Sequence, residues 1–134
     1  MTPATTPDSV PPAPIDPSTL DPATVTTMVE VRVGIDDLDR RIVTLLGDRM
    51  RYIEAAARIK PSRKTVRDEW RKQDVITKAA ATAEKVNFPP QLARDIYEVL
   101  VEGSIAHEFV KFDAREEQFE DAEETQPAED AGEA

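Results

Sequence analysis

Residues 28–60, MVEVRVGIDDLDRRIVTLLGDRMRYIEAAARIK, contain no proline and decide the fold. Thr27 precedes the stretch and Glu30 lies three positions after it, which is the pattern of a helix capping box. Pro61 follows directly, so the stretch predicts one helix of about 32 residues, about 48 Å long. Its apolar residues recur at spacings of four and three, as on one helix face, from Val31 through Ile35, Leu38 and Ile42 to Leu45. After a gap at Arg49, the same face continues with Ile53 and Ala56.

Two further helices are predicted downstream. Thr65 and Asp68 offer a second cap, for a helix that ends near Asn87, and Pro89 and Pro90 introduce a third. No stretch alternates with a period of two for long enough to form a strand. The sequence therefore predicts an all-α, three-helix domain over residues 27–113.

The length of the first helix predicts the oligomeric state. A compact domain of about 86 residues has a radius of gyration near 12 Å, so a helix of about 48 Å extends beyond its own fold. Its apolar face continues along the extension, and a second chain is needed to cover it. An intertwined homodimer is the simplest such arrangement.

Both ends of the chain differ from the middle in composition. Residues 1–26 contain seven of the eleven prolines and no Lys or Arg, and residues 114–134 contain nine acids against one Arg. Such segments bury little apolar surface, so both ends are predicted to be disordered. The net charge of −10 belongs to these ends, since residues 28–113 have 16 basic and 15 acidic residues.

Composition excludes several classes of protein. Without Cys, the chain can form no disulfide or thiolate metal site. The N-terminus has neither the apolar core of a secretory signal nor the basic residues of a transit peptide, and no apolar run approaches the roughly 20 residues of a membrane span. We therefore expect a cytoplasmic protein that does not enter membranes.

Two cations interrupt the apolar face of the first helix. Arg49 follows Leu45 by four residues, and Lys60 follows Arg49 by eleven, which returns to within about 20° of the same face. A buried cation without a partner costs several kcal/mol. Either acids of the fold, such as Asp68 and Glu108, neutralise the two cations, or a bound anion does.

A basic cluster follows, RIKPSRKTVRDEWRK at 58–72, with seven Lys or Arg against two acids. Nucleic-acid binding usually needs a net positive surface and several aromatic side chains. Here the domain is nearly neutral, and Trp70 is the one aromatic residue in the cluster. The pattern favours a small dianion in a helix-lined pocket over a nucleic acid.

At this point the sequence resembles a known family. It is similar to the all-helical class of chorismate mutases at Arg32 and in the segments IDDLDRRIVTLLGDRM, YIEAAARIK and VRDEWRK, in that order. The segment YIEAAARIK is especially similar to the isochorismate-pyruvate lyase branch of that class. The resemblance covers about residues 28–113. It implies an intertwined dimer with two pockets, each completed by one Arg of the other subunit, and a reaction without metal or cofactor.

The resemblance also implies roles for individual residues. Arg32 corresponds to the borrowed arginine, Arg49 to an arginine that binds a substrate carboxylate, and Lys60 to the ammonium that contacts a carboxylate and the ether oxygen. On the other helices, the corresponding substrate-binding residues are Asp68, Arg71, Ser104 and Glu108.

Two positions depart from the family pattern. Glu108 stands where a Gln is usual, so activity is predicted to fall as rising pH ionises its carboxyl group. Lys72 stands where a Glu often holds the ring hydroxyl of chorismate, which leaves room for another substrate. Three functions thus remain open: chorismate mutase, isochorismate-pyruvate lyase, or a non-catalytic helical dimer that binds a small acid. The third would show Arg49 or Lys60 paired internally, with no cavity between them.

Overall fold

The computed structural model describes residues 13–125 and confirms the all-α prediction, since these residues contain three long helices and no strand. Helix α1 spans Met28–Ile59, α2 spans Glu69–Lys85 and α3 spans Pro90–Thr125. The chain divides into two compact units at Gly47 and Asp48.

Helix α1 begins with the predicted capping box. The backbone N–H of Glu30 donates to Oγ1 of Thr27 at 3.2 Å, and the backbone N–H of Thr27 donates to Oε1 of Glu30 at 3.1 Å. The helix ends at Ile59, because Pro61 disfavours helical backbone in the residue before it. The prediction of one uninterrupted first helix is confirmed.

Helix α2 begins after Asp68 rather than after Thr65. The hydroxyl of Thr65 donates to the carbonyl of Ser62 within a short 3-10 helix, Arg63–Thr65, so it is not available to cap α2. Instead Oδ1 of Asp68 accepts from the backbone N–H of Arg71 at 3.0 Å and caps Glu69–Lys85. Of the two residues offered as the second cap, Asp68 caps α2 and Thr65 does not.

A tight turn reverses the chain between α2 and α3. Asn87 has a φ of 58°, and the N–H of Phe88 donates to the carbonyl of Ala83 at 2.8 Å, as in a Schellman motif. Asn tolerates this left-handed backbone better than most residues do. Pro90 then opens α3, so α2 and α3 form a packed pair.

The core of the second unit lies where the end of α1, the connecting loop and α3 meet. Ala57, Val66 and Phe112 are buried together, and Phe109 packs against them. Because Lys60 lies between Ala57 and Val66 in the chain, this cluster fixes the region that carries it.

Helix α3 continues twelve residues past the predicted domain end, to Thr125. Glu and Ala are good helix formers, and Phe112 and Arg115 attach this part of the chain to α1. The prediction of a disordered tail thus differs from the structure over 114–125, while residues 126–134 lie outside the described part.

The N-terminal unit contains structure before α1. A short 3-10 helix spans Pro17–Thr19 and is capped by Asp16, and Leu20 approaches Gly34 of α1. Residues 13–26 thus differ from the predicted disordered arm, because aspartate side chains and prolines fix local turns. Residues 1–12 lie outside the described part.

Candidate active site

A cavity of about 120 Å³ lies within the second unit, and α1, the connecting loop, α2 and α3 all line it. Apolar side chains form part of its wall, among them Ile53 and Val101. Its polar lining contains six of the seven predicted site residues and Lys72: Arg49, Lys60, Asp68, Arg71, Lys72, Ser104 and Glu108.

The seventh predicted residue, Arg32, belongs to the N-terminal unit. It lies on α1 and is exposed to solvent. Its predicted role depends on a second subunit.

Lys60 and Glu108 form an ion pair in this cavity. Nζ of Lys60 donates to Oε2 of Glu108 at 2.8 Å and to the backbone carbonyl of Val66 at 2.9 Å. The side chain of Glu108 is 6% exposed and that of Lys60 is 27% exposed. A buried carboxylate is costly unless it is paired, so the ammonium compensates for the burial of Glu108.

Arg49 reaches the cavity from α1 and contacts Ser104 of α3. Its Nη1 donates to Oγ of Ser104 at 2.8 Å, and that hydroxyl donates to the carbonyl of Leu100 at 2.7 Å. A guanidinium has five N–H donors, and within the described chain Arg49 uses one of them in this contact. The remaining donors can bind a carboxylate in a bidentate manner, with one hydrogen bond to each carboxylate oxygen.

The backbone N–H of Arg71 donates to the Asp68 carboxylate that caps α2, while the guanidinium of Arg71 binds another acid. It donates to Oδ2 of Asp74 at 2.6 Å, and Lys78 donates to the same oxygen. Hydrogen bonds from Lys78 and then from Arg71 hold the pKa of Asp74 below its usual range. Arg71 therefore lines the cavity, but its guanidinium is already bound to Asp74.

Lys72 is fixed at the cavity wall by two acids of α3. Its ammonium lies 2.7 Å from carboxylate oxygens of both Glu98 and Glu102. Arg67 also binds Glu102, at 2.8 Å. The hydrogen bonds that Lys72 donates to Glu102 and then to Glu98 raise its pKa to about 12. Hydrogen bonds from Arg67 and then Lys72 lower the pKa of Glu102 to about 2.

Sequence reasoning missed Glu98 and Glu102 as partners of Lys72. The two acids lie four residues apart on α3 and so share a helix face. That spacing identifies an acidic face, but nothing in the sequence pairs it with a lysine on another helix.

The hypothesis of a non-catalytic protein requires two features, an internal partner for Arg49 or Lys60 and no cavity between these two residues. Lys60 is paired internally with Glu108, as that hypothesis requires. The cavity nevertheless lies among Arg49, Lys60 and Glu108, which that hypothesis does not predict.

A larger cavity of about 410 Å³ lies along α2 and α3. Its wall is largely apolar, and Arg71 and Lys78 are the charged residues that line it. Both cations already bind Asp74, so this cavity is less suited to a dianion than the smaller one.

Across residues 13–125, no cluster of His, Asp or Glu is arranged to hold a metal ion, and no helix has the length and apolar character required to cross a membrane.

Comparison with known families identifies the chain as similar to a characterised family. The family model described as chorismate mutase type II matches residues 31–109, which is more than half of the chain. No curated protein matches the chain. The matched span includes Arg32 and all of the polar cavity lining, and it ends six residues before Arg115.

Proposed function

The chain belongs to the chorismate mutase type II family, and we propose that it converts chorismate to prephenate. The observation that carries the proposal is the cavity in which Arg49, Lys60 and Glu108 converge from α1 and α3. Chorismate has two carboxylates and an ether oxygen, and these groups match the donors that the cavity offers.

The proposed reaction is an intramolecular rearrangement. As the carbon–oxygen bond of the ether breaks, a carbon–carbon bond forms elsewhere in the same molecule, so no protein nucleophile is required. The protein has to hold the compact conformer in which the two ends meet. It also has to stabilise the negative charge that grows on the ether oxygen.

Arg49 is suited to the first task. Its guanidinium is a planar fork that can bind one carboxylate through two parallel hydrogen bonds. The contact with Ser104 holds this fork at the cavity wall, at 2.8 Å from the hydroxyl. Ser104 therefore acts by orienting Arg49 as well as by lining the site.

Lys60 is suited to the second task. An ammonium has three N–H donors, and two of them are used by Glu108 and the carbonyl of Val66. The third can point to the ether oxygen of a bound substrate. The two internal contacts restrict the ammonium, so its position is prepared before the substrate arrives.

Glu108 makes this arrangement sensitive to pH. When ionised, it neutralises part of the charge of Lys60 and opposes negative charge on the ether oxygen. When protonated, it can donate a hydrogen bond to that oxygen. We therefore propose that activity increases as the pH falls.

The proposal includes a homodimer whose pockets use Arg32 of the second subunit. Apolar residues on one face of α1 are about half exposed in the single chain, including Ile35, Leu38 and Ile42. Covering this face with another copy would remove apolar surface from water. Arg32 lies 17 residues from Arg49, about 25 Å along the helix, so it can serve only a pocket of the partner.

A second candidate is isochorismate-pyruvate lyase, and Lys72 favours it. A lysine lines the cavity where chorismate mutases often have an acid for the ring hydroxyl. In isochorismate the hydroxyl lies at another ring position, and elimination of pyruvate would leave salicylate. The same cations would bind the carboxylates and the ether oxygen.

Product analysis separates these functions. Purified protein is incubated with chorismate and with isochorismate in separate reactions, at several pH values. Prephenate from chorismate supports the first proposal, and salicylate with pyruvate from isochorismate supports the second. No product from either substrate would support a non-catalytic acid-binding protein. A cytoplasmic location stays a prediction from the sequence, which has no recognisable secretory signal, transit peptide or membrane span and no Cys.

A further inference from the structure

We propose that Arg115, which lies beyond the matched family region, is a positioning residue for Lys60. This inference rests on the proposed function, because it assigns a role within the same site. Arg115 lies on the part of α3 that continues past residue 109, where the family match ends. It neither lines the cavity nor contacts the Lys60 ammonium.

Arg115 binds the end of α1 through backbone carbonyls. Its Nη1 atom lies 3.0 Å from the carbonyl oxygen of Ala57, 3.1 Å from that of Arg58 and 2.8 Å from that of Lys60. The last four carbonyls of a helix have no partner within the helix, and the C-terminal end of its dipole attracts cations. The guanidinium of Arg115 supplies N–H donors to these carbonyls and a positive charge at this end of the dipole. It also binds the backbone carbonyl of Lys60 directly.

The guanidinium is itself held in place. It stacks on the ring of Phe112 at 4.3 Å from the ring centre, and its Nη2 donates to Glu116 at 2.9 Å. Its side chain is 21% exposed. The Nε atom is buried and has no hydrogen-bond partner in the described structure, so the hydrogen bonds of the guanidinium are made by Nη1 and Nη2.

Lys60 needs such support because it lies just past the end of α1. Its backbone N–H donates to Ala56 at 2.9 Å, and its side chain must turn to meet both Val66 and Glu108. Helix ends fray when their terminal groups have no partners. Without Arg115, the Lys60 backbone would move, and the ammonium would lose its fixed distance to the reacting atoms.

The test compares Arg115→Met with Arg94→Met. Methionine keeps an apolar stem over Phe112 but removes the donors, and Arg94 is an exposed arginine of the same helix. We expect Arg115→Met to lower kcat about 10- to 100-fold, as small displacements of a catalytic group do. Arg115→Lys, which keeps one charged donor group, is expected to recover part of this loss, and Arg94→Met is expected to match the wild type.

A second comparison distinguishes positioning from a general loss of structure. In a Lys60→Met background, Arg115→Met should change kcat/KM less than about twofold, because the residue that it positions is already absent. An equal loss in both backgrounds would overturn the proposal. So would full activity of Arg115→Met.

A measurement without substrate keeps this inference separate from the proposed function. The chain has six lysines, so the side-chain NMR signals of Lys60 can be assigned with a Lys60→Arg variant. If the wild type converts neither substrate, the proposed function fails, and the NMR result decides the role of Arg115. A displaced Lys60 signal in Arg115→Met but not in Arg94→Met supports positioning, and an unchanged signal contradicts it.

Discussion

Nζ of Lys60 lies 2.8 Å from Oε2 of Glu108, and the glutamate is buried. The cation proposed to stabilise the ether oxygen therefore has an acid beside it before any substrate binds. Whether the pair assists or opposes the growing negative charge depends on a single proton.

Replacing Glu108 by Gln tests this dependence. Gln keeps the size of the side chain and always offers an N–H donor, whereas Glu offers a donor only when protonated. We expect Glu108→Gln to raise kcat about 10-fold or more at neutral pH and to flatten the pH profile of activity. Initial rates of chorismate loss at several pH values provide the measurement.

Glu117→Gln is a matched control, since Glu117 is an exposed acid of the same helix. It should keep the wild-type profile. If Glu108→Gln gains no activity at neutral pH relative to the wild type, Glu108 has no part in the mechanism.

Replacing Arg49 by Ala removes the proposed carboxylate fork. We expect kcat/KM to fall about 10²- to 10³-fold, and Arg49→Lys to recover little because a lysine lacks the planar geometry. Arg51→Ala is the control, because Arg51 is exposed and binds Glu54 at 2.8 Å rather than the cavity. Equal activity of the Arg49→Ala and Arg51→Ala proteins would refute a substrate-binding role for Arg49.

Asp68 allows a structural role to be separated from a role in binding. Its carboxylate caps α2, so Asp68→Ala should lower the free energy of unfolding by about 1 kcal/mol, whereas Asp68→Ser should preserve the cap. Urea denaturation measures this difference. If Asp68→Ser is stable but has a raised KM, Asp68 also binds substrate; an unchanged KM would leave it only as a cap.

The Lys72–Glu102 pair predicts a pH dependence of stability. The pKa of Glu102 is lowered to about 2 in the folded protein, so its pairing contributes fully above an unfolded value near 4.5 and is lost as the pH falls toward 2. The melting temperature should fall over this window, and less steeply in Glu102→Gln. Glu84→Gln, at an exposed acid of α2, should follow the wild type, and identical curves for all three proteins would exclude the pair as a source of acid sensitivity.

The helices could be predicted where the signal was local. The capping box at Thr27, the spacing of the apolar face and Pro61 define α1 without reference to the rest of the chain. The start of α2 stayed open because Thr65 and Asp68 both resemble caps, and only the tertiary path of the loop decides between them. Over residues 114–125 the acidic composition predicts disorder, whereas α3 continues to Thr125 in the structure, and Phe112 and Arg115 connect this part of α3 to the end of α1.

Part of the candidate site could also be predicted from local sequence patterns. Arg49 and Lys60 were identified as charges on an apolar face, and the structure brings them to one cavity. The engagement of Lys72 by two acids of α3 and the contacts of Arg115 join residues far apart in sequence. No single-sequence pattern contains such pairings.

The central claim is that cations of two subunits bind one dicarboxylate, and mixed dimers test it most directly. Arg32→Ala and Arg49→Ala are produced separately and also co-expressed. Each variant alone should lose about 10²-fold or more in kcat/KM, because every pocket lacks one cation. In a mixed dimer, one pocket lacks both cations and the other is intact.

Random pairing makes about half of the dimers mixed, so co-expression should restore about one quarter of the wild-type activity toward chorismate or isochorismate. Activity of the co-expressed sample no greater than the mean of the two separate variants would contradict a site shared between subunits.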